Sequence, residues 1–250
     1  MIISLLAFTA VFTVIVLIHE LGHFAAARAN GIKVYEFSIG FPFSPRLFTL
    51  FRHRETDFTV RLLPLGGFVS FSREGDEETR ELFGAPAGRR AFVLSAGSLF
   101  NIVFAFMVFV PVFAVSKHLG LVNAMLLSAK TVWEILSGTI AFFVNILTGH
   151  GTAEGLSGPV GIAAMAGRAA SKGILSLLSF SGVLSMSLGV MNLLPLPALD
   201  GGHLVMLLIE SVRKKPLSPK AYQVATLIGL SFFLILTAAV TYRDVARLIA

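Results

Sequence analysis

Four long segments of this sequence carry almost no charge, and each is long enough to cross a membrane as a helix. A helix that spans the hydrocarbon core needs about 20 mainly apolar residues. Such segments lie at 1–27, 91–116, 173–194 and 221–242. Hydrophobic residues make up 55% of the chain and charged residues only 14%, whereas a soluble domain carries about 25% charged residues. The sequence therefore predicts an α-helical integral membrane protein.

Two further apolar segments could be placed in more than one way. Segment 121–147 is interrupted by four polar residues, which are Asn123, Lys130, Glu134 and Asn145. Its mixed faces favour a helix at the membrane interface or one that is partly inserted, and a fifth crossing is the alternative. Segment 204–209 is too short to cross and predicts a half-buried helix.

The distribution of lysine and arginine predicts an orientation. Of the 20 basic residues, ten lie in 28–90 and four in 213–220. With four crossings these stretches fall on one side, which the excess of positive charge assigns to the cytoplasm. We therefore expect a multi-pass protein of the plasma (inner) membrane with both termini outside. The net charge of +6 then reflects orientation, and nucleic-acid binding is not expected.

The loop between the first two spans is expected to contain a small β-sheet. Residues 34–39, 57–63 and 68–71 are rich in β-branched and aromatic side chains and are separated by turn residues. A turn is predicted at 65–67 and an acidic, solvated tip at 74–81. The predicted organisation has six segments: a first transmembrane helix (1–29), a cytoplasmic β-rich loop (30–90), a second transmembrane helix (91–116), an extracytoplasmic or interfacial segment (117–172), a third transmembrane helix with a proline break (173–212), and a basic loop with the last helix (213–250).

The first apolar segment contains the pattern His-Glu-Leu-Gly-His, from His19 to His23. On a helix, residues i and i+4 project from one face, so the two imidazoles can bind one zinc ion. Zinc lowers the pKa of a bound water towards about 7, and Glu20 is placed to take its proton. With no cysteine in the chain, thiolate metal sites and disulfides are excluded.

The position of this pattern within the apolar segment argues against a chance match or a structural histidine pair. If the helix continues to Ala27, His19 lies about 12 Å from that end, at 1.5 Å per residue. Ionisable groups at such depth cost several kcal/mol and mark functional sites. A cleaved signal peptide is not expected, because positive charge before the apolar stretch is missing and cleavage near Ala27 would remove both histidines.

A third ligand is expected from another apolar segment, because catalytic zinc usually has three protein ligands and one open position. Asp200 follows Pro195 and Pro197, which prevent regular helix and force an extended stretch beside a wet cavity or protein. From the residue type alone, Asp200 is equally well interpreted as the N-cap of a helix that starts near Gly201. His203 is the weaker candidate, with a structural or supporting role.

Together these motifs resemble the site-2 proteases, which are intramembrane zinc proteases of the bacterial regulated-proteolysis type. The resemblance covers nearly the whole chain. It rests on His19 to His23, and on four further motifs, which are Asn192-Leu193-Leu194-Pro195, Leu199-Asp200-Gly201, Leu156-Ser157-Gly158-Pro159-Val160-Gly161 and Pro64-Leu65-Gly66-Gly67.

The resemblance implies one zinc ion bound by His19, His23 and Asp200, with Glu20 as the general base. It places Asn192 and Asn101 on the substrate side. In the β-rich loop, which contains Gly66 and Gly67, it implies a sheet edge that holds an extended substrate strand. The implied substrates are single-span membrane proteins such as anti-sigma factors, cleaved within the bilayer.

Two features depart from the family pattern. Ser98 stands where the family usually has proline, which weakens the expectation for Asn101. Many bacterial members carry one or two PDZ domains between the second and third spans, but here only about 40 residues, 117–156, fill that interval. A PDZ domain needs roughly 90 residues. The sequence therefore predicts a member without a PDZ domain or a shortened chain.

Two other classes of function compete with the protease. An ion or metal transporter could use intramembrane His and Asp as a transit site, but it usually shows an internal repeat of helices, which this sequence lacks. A non-catalytic relative could bind membrane proteins without cutting them. The presence of both histidines, Glu20 and Asp200 together favours the enzyme.

Overall fold

The computed structural model describes residues 2–41, 44–63, 66–72, 80–150 and 156–249. Its helices are α1 (Ile2–Ala29), α2 (Arg80–Phe83), α3 (Ala87–Ser116), α4 (Leu121–Leu147), α5 (Pro159–Ser171), α6 (Ile174–Leu193), α7 (Asp200–Arg213) and α8 (Pro219–Ile249). Its strands are β1 (Glu36–Ile39), β2 (Arg46–His53), β3 (Thr56–Arg61) and β4 (Gly67–Ser70). Residue 65 of the predicted turn and residues 74–79 of the predicted acidic tip lie outside the described residues.

Five helices in the described part of the chain are long and apolar enough to span a membrane, namely α1, α3, α4, α6 and α8. The prediction of an integral membrane protein with a small β region is confirmed. The wide exposure of large apolar side chains on these helices fits a lipid environment, because lipid-facing positions do not need to be polar.

The two ends of the helix bundle are defined by contacts between helix termini. At one end, which we call the sheet end, α1 finishes and α3 begins, and Arg89 donates to the Asn30 carbonyl over 3.3 Å. At the opposite end, Gly158 and Gly161 at the start of α5 donate backbone N–H groups to Asp244 of α8, at 2.8 and 2.9 Å. Helix α8 therefore runs from the sheet end to the opposite end.

Helices α3 and α6 run antiparallel through the middle of the bundle. Gly182 of α6 lies against Phe109, and Gly189, two turns later, lies against the Ser98 carbonyl. The Ser185 hydroxyl between them donates to the Asn101 carbonyl over 2.9 Å. Helix α6 therefore begins at the opposite end and returns the chain towards the sheet end.

Helix α4 is one continuous helix of 27 residues rather than a short inserted half. It packs on α3 and α6 through Val132, Ile135 and Leu136. Its length and composition allow α4 to span a membrane, as they do for α1, α3, α6 and α8.

The sheet has the strand order β2-β3-β1-β4 among the described residues, with β1 and β3 parallel and the other two pairs antiparallel. Strand β2 was missing from the prediction. Its eight residues are all exposed, so it shows none of the alternation between buried and polar positions that identifies a half-buried strand. The sheet contacts α1 through β1 and β3, where Phe24 of α1 packs edge-on against Phe37 and Phe58.

Helix α5 was also missed, because 117–172 was predicted as a single extracytoplasmic or interfacial segment. Pro159 occupies the first turn of α5, where the absent N–H costs nothing. Gly167 of this helix packs directly on Ser4 of α1. The opposite end is therefore closed by α5, which joins the beginning of α1 to the end of α8.

A buried ion pair holds the sheet end together. Arg90 at the start of α3 donates to Glu210 of α7 over 2.7 Å and to the Tyr222 hydroxyl of α8 over 3.0 Å. The backbone N–H of Leu217 donates to the other Glu210 oxygen at 2.9 Å. Burial raises the pKa of the Glu210 carboxyl, but these donors hold it below its usual value. The described residues of the two basic stretches, 28–90 and 213–220, thus meet at the same end of the bundle.

We expect Glu210→Ala to lower the free energy of unfolding by about 3–5 kcal/mol, because it leaves the Arg90 charge buried without a partner. The double variant Arg90→Met with Glu210→Leu should recover most of this loss, since it removes both charges. Unfolding of the purified protein in detergent measures both values. The matched control is Glu134→Ala, which breaks the exposed Lys130–Glu134 pair and should cost about 0.5 kcal/mol or less. Equal losses at the two pairs would contradict the assigned role.

Candidate metal centre

The two histidines of the His-Glu-Leu-Gly-His pattern meet on one face of α1. His19 and His23 are separated by one helical turn and are both buried, with 6% and 9% of their surface exposed. Their Nε2 atoms lie 3.1 Å apart, and the rings are nearly perpendicular. The helix alone therefore directs both Nε2 atoms to a single point, as the spacing predicts.

The third group comes from the chain that follows α6. Helix α6 ends at Leu193, and the segment with Pro195 and Pro197 turns back before α7 starts at Asp200. This places the Asp200 Oδ2 atom 3.0 Å from His19 Nε2 and 3.3 Å from His23 Nε2. The alternative N-cap interpretation is wrong, because the N-cap position belongs to Leu199 and the cap has no side-chain hydrogen bond.

These three atoms have the spacing that a zinc ion requires. Donor atoms at about 2.0–2.1 Å from a tetrahedral zinc lie about 3.3 Å from one another, and the observed separations are 3.0, 3.1 and 3.3 Å. Among the described residues, Asp200 Oδ2 is buried without a hydrogen-bond donor. A cation at the centre of the triangle would satisfy this carboxylate oxygen and both nitrogens.

The charge state of Asp200 suits the same role. Burial raises the pKa of the Asp200 carboxyl, but the facing imidazoles of His19 and His23 more than offset this and hold the pKa well below its usual range. A carboxylate that binds a metal must be ionised, and this direction of the pKa suits that requirement. Two imidazoles and one carboxylate form a donor set typical of catalytic zinc sites.

The floor of the site is the backbone of α3. A Cβ atom at Gly97 would lie 2.5 Å from His23 Nε2 and 2.8 Å from His19 Nε2. One turn before Gly97, the Val93 carbonyl lies 2.8 Å from His23 Nδ1. One turn after Gly97, the Asn101 amide lies 3.4 Å from His19 Nδ1. Residues 93, 97 and 101 thus form one face of α3 that supports both rings.

A cavity of about 360 Å³ opens beside the three donor atoms. Glu20 lines it together with Asn192, and β4 contributes Phe68 and Val69. The backbone N–H of Val69 lies near the Glu20 carboxylate. The Asn192 Nδ2 atom lies 3.4 Å from His19 Nε2. The cavity therefore brings together an acid–base group, an amide donor and a strand edge beside the metal-binding triangle.

The other predicted residues take different positions. Gly67 begins β4, and a Cβ atom there would lie 3.5 Å from Glu20 Cγ, whereas Gly66 lies near Val16 of α1 with φ +97°. Asn101 is fully buried and does not line the cavity. His203 lies 3.1 Å from the Leu199 carbonyl through Nδ1 and stacks on Tyr222, so it supports the start of α7.

Sequence reasoning missed the β4 residues that line the cavity. Val69 lines the cavity near Glu20 with its backbone N–H, which every residue except proline possesses, so residue type carries no signal for it. The pairing pattern of the sheet could have identified it only with the strand register known.

The family model described as Peptidase family M50 matches residues 7–236 of this sequence. The chain belongs to peptidase family M50. It is similar to a candidate zinc metalloprotease of Clostridium perfringens, with 29% identity over 97% of each chain. It is also similar to the zinc metalloprotease RasP of Shouchella clausii, with 24% identity over 98% of this chain and 99% of the relative.

A third relative, the regulator of sigma-W protease RasP of Bacillus subtilis, is 37% identical over 52% of this chain and 31% of its own length. The two longer alignments extend over 332 and 417 positions, more than the 250 residues of this chain. Those relatives therefore contain residues without a counterpart here. In this chain, the described residues between α3 and α5 form helix α4.

Family membership establishes the class of activity. The chain is a zinc metalloendopeptidase of the site-2 protease type and a multi-pass membrane protein. This confirms the resemblance that the motifs indicated. The transporter and the non-catalytic binder are set aside.

We expect Gly97→Ala to reduce the zinc bound by the purified M50 protein to below about a tenth of the wild-type content, because the new methyl group would occupy space held by both imidazoles. Zinc analysis of protein in detergent measures this. The matched control is Gly88→Ala in the same helix, where a Cβ atom meets nothing within 4 Å, and it should retain full zinc. Full zinc in both variants would contradict the proposed floor of the site.

Proposed function

We propose that this M50 protease binds one zinc ion through His19, His23 and Asp200 and cleaves membrane-embedded substrates with Glu20 as the general base. The observation that carries the proposal is the convergence of three buried donor atoms within 3.3 Å of one another. They come from two helices that are separated by 170 residues of sequence, so local helix geometry alone does not account for the meeting.

A zinc ion held there would polarise a peptide carbonyl and acidify a water molecule. Glu20 takes a proton from the attacking water and later delivers it to the leaving amine. Helix α1 places Glu20 directly beside His19 in sequence, at the edge of the cavity.

Asn192 is proposed to orient the scissile carbonyl. Its side chain lines the cavity and lies on the Nε2 side of His19. An amide N–H in that position can donate to the oxygen that gains negative charge during attack. Removal of one such donor typically costs about 10²–10³ in kcat.

Strand β4 is proposed to hold the substrate in an extended form. The Gly40 N–H donates to the Gly66 carbonyl, and bonded and non-bonded pairs alternate along an antiparallel ladder. Gly67 and Val69 therefore direct their N–H and C=O groups away from β1, towards the cavity. A substrate strand can pair with this edge, which offsets the loss of its own helical hydrogen bonds.

The proposed substrates are single-span membrane proteins, such as anti-sigma factors. One relative is named regulator of sigma-W protease, which supports a role in regulated intramembrane proteolysis. The positive-inside rule supports a cytoplasmic sheet end, with both termini outside. The enzyme would then cleave a peptide bond in the cytoplasmic half of the transmembrane span of the substrate.

We expect Glu20→Gln to retain one zinc per chain and to lower the cleavage rate of a model single-span substrate by about 10²–10⁴-fold, because the general base is lost. A zinc chelator should stop the wild type, and added zinc should restore it. Glu134→Gln, an exposed substitution on α4, is the control with unchanged rate. Wild-type turnover by Glu20→Gln would refute the assigned base.

If the substrate pairs with the edge of β4, only every second backbone amide of the substrate donates a hydrogen bond to this strand. N-methylation of single amides in a synthetic substrate should lower kcat/KM about 5–150-fold at alternate positions, from the loss of one hydrogen bond worth about 1–3 kcal/mol. The positions between them should change little, since those N–H groups point away from β4. A uniform effect at every position would contradict pairing with this strand.

A further inference from the structure

The two proposed histidine ligands need the same tautomer. An imidazole that binds a metal through Nε2 must carry its proton on Nδ1, and the partner of Nδ1 fixes that arrangement. For His23 the partner is the Val93 carbonyl, 2.8 Å from Nδ1. A carbonyl oxygen can only accept, so it holds the proton on Nδ1 and leaves Nε2 free to bind a metal.

The equivalent partner of His19 is Asn101. In one orientation of the amide, Asn101 Nδ2 lies 3.4 Å from His19 Nδ1, so a donor faces the nitrogen that needs an acceptor. The Asn101 Oδ1 atom is buried and has no hydrogen-bond partner among the described residues. The first condition decides between the two orientations, because a donor cannot satisfy an Nδ1 that carries a proton.

A half-turn of the amide about its last side-chain bond exchanges the oxygen and the nitrogen, which have nearly the same size. Hydrogen bonding decides between these two orientations. The exchange gives the buried oxygen a donor and gives His19 Nδ1 an acceptor. We propose that the Asn101 side-chain oxygen accepts the Nδ1–H of His19 and so holds the His19 ring in the tautomer that binds zinc through Nε2.

This makes Asn101 a positioning residue rather than a substrate contact. It is fully buried and lies on the α3 face beneath the ring, whereas Asn192 lines the cavity on the Nε2 side. Its backbone is fixed as well, because its carbonyl accepts from the Ser185 hydroxyl. The substrate-side role that the resemblance implied for Asn101 is replaced by one on the metal ligand. The inference rests on the proposed ligand set.

The test compares zinc affinity, by competition with a chelator, in full-length protein carrying Asn101→Leu, Asn101→Asp, Asn192→Leu or His19→Ala. Asn101→Leu removes the acceptor at similar volume and should weaken zinc binding about 10–100-fold, as the loss of such partners typically does. Asn101→Asp restores an acceptor and should bind zinc within about fivefold of the wild type. Asn192→Leu should keep wild-type zinc affinity and lose turnover.

Each contrary outcome identifies what fails. Wild-type zinc affinity in Asn101→Leu with a raised KM would return Asn101 to the substrate side and overturn the inference. Equal weakening in the Leu and Asp variants would show that packing, and not the acceptor, matters. Undiminished zinc binding by His19→Ala would instead overturn the proposed ligand set.

A measurement on the unmodified chain covers the case in which the Asn101 variants do not fold. In zinc-loaded protein labelled with ¹⁵N-histidine, the spectrum should contain two metal-bound rings with protonated Nδ1. The two signals need no assignment, because both metal-bound rings are expected to carry this proton. A metal-bound ring with a deprotonated Nδ1 would overturn the inference without any variant of Asn101.

Discussion

The close packing of α1 on α3 is the constraint on which the metal centre depends. A Cβ atom at Gly22 would lie 2.5 Å from the Ala96 carbonyl, and one at Gly97 would lie equally near His23 Nε2. Gly22 therefore lets the backbone of α1 approach the backbone of α3, and Gly97 leaves room for the two imidazole rings. Small residues at such contacts are the usual means of close helix packing in membranes, where no hydrophobic force drives helices together.

Because α3 lies so near, it also satisfies the polar groups that α1 brings into the apolar part of the bundle. Val93 and Asn101 face the second nitrogens of the two rings, and the pair Arg90–Glu210 fixes the beginning of the same helix. Uncompensated polar groups at this depth are costly. The rings of His19 and His23 and the Arg90 guanidinium each face a backbone, amide or carboxylate partner, and the Asp200 Oδ2 atom points at the two imidazoles.

The parts of the fold that the sequence predicted are those with a strong local signal. Uncharged runs of sufficient length located the helices α1, α3, α6 and α8, and the i, i+4 spacing placed His19 and His23 together. Strand β2 lacked alternation because it is exposed on both faces. Asp200 could be a cap or part of the site until its distance from α1 was known. The two asparagines beside His19 differ in burial, since Asn101 is fully buried and Asn192 lines the cavity. A sequence motif does not encode this difference.

Zinc K-edge X-ray absorption on the purified, zinc-loaded protein tests the proposed centre most directly. The account predicts two imidazole nitrogens and one carboxylate oxygen at about 2.0–2.2 Å, with one position left for solvent. In Asp200→Ala the oxygen contribution from the carboxylate should disappear while both imidazole contributions remain. An imidazole count other than two, or a spectrum that Asp200→Ala leaves unchanged, would contradict the account.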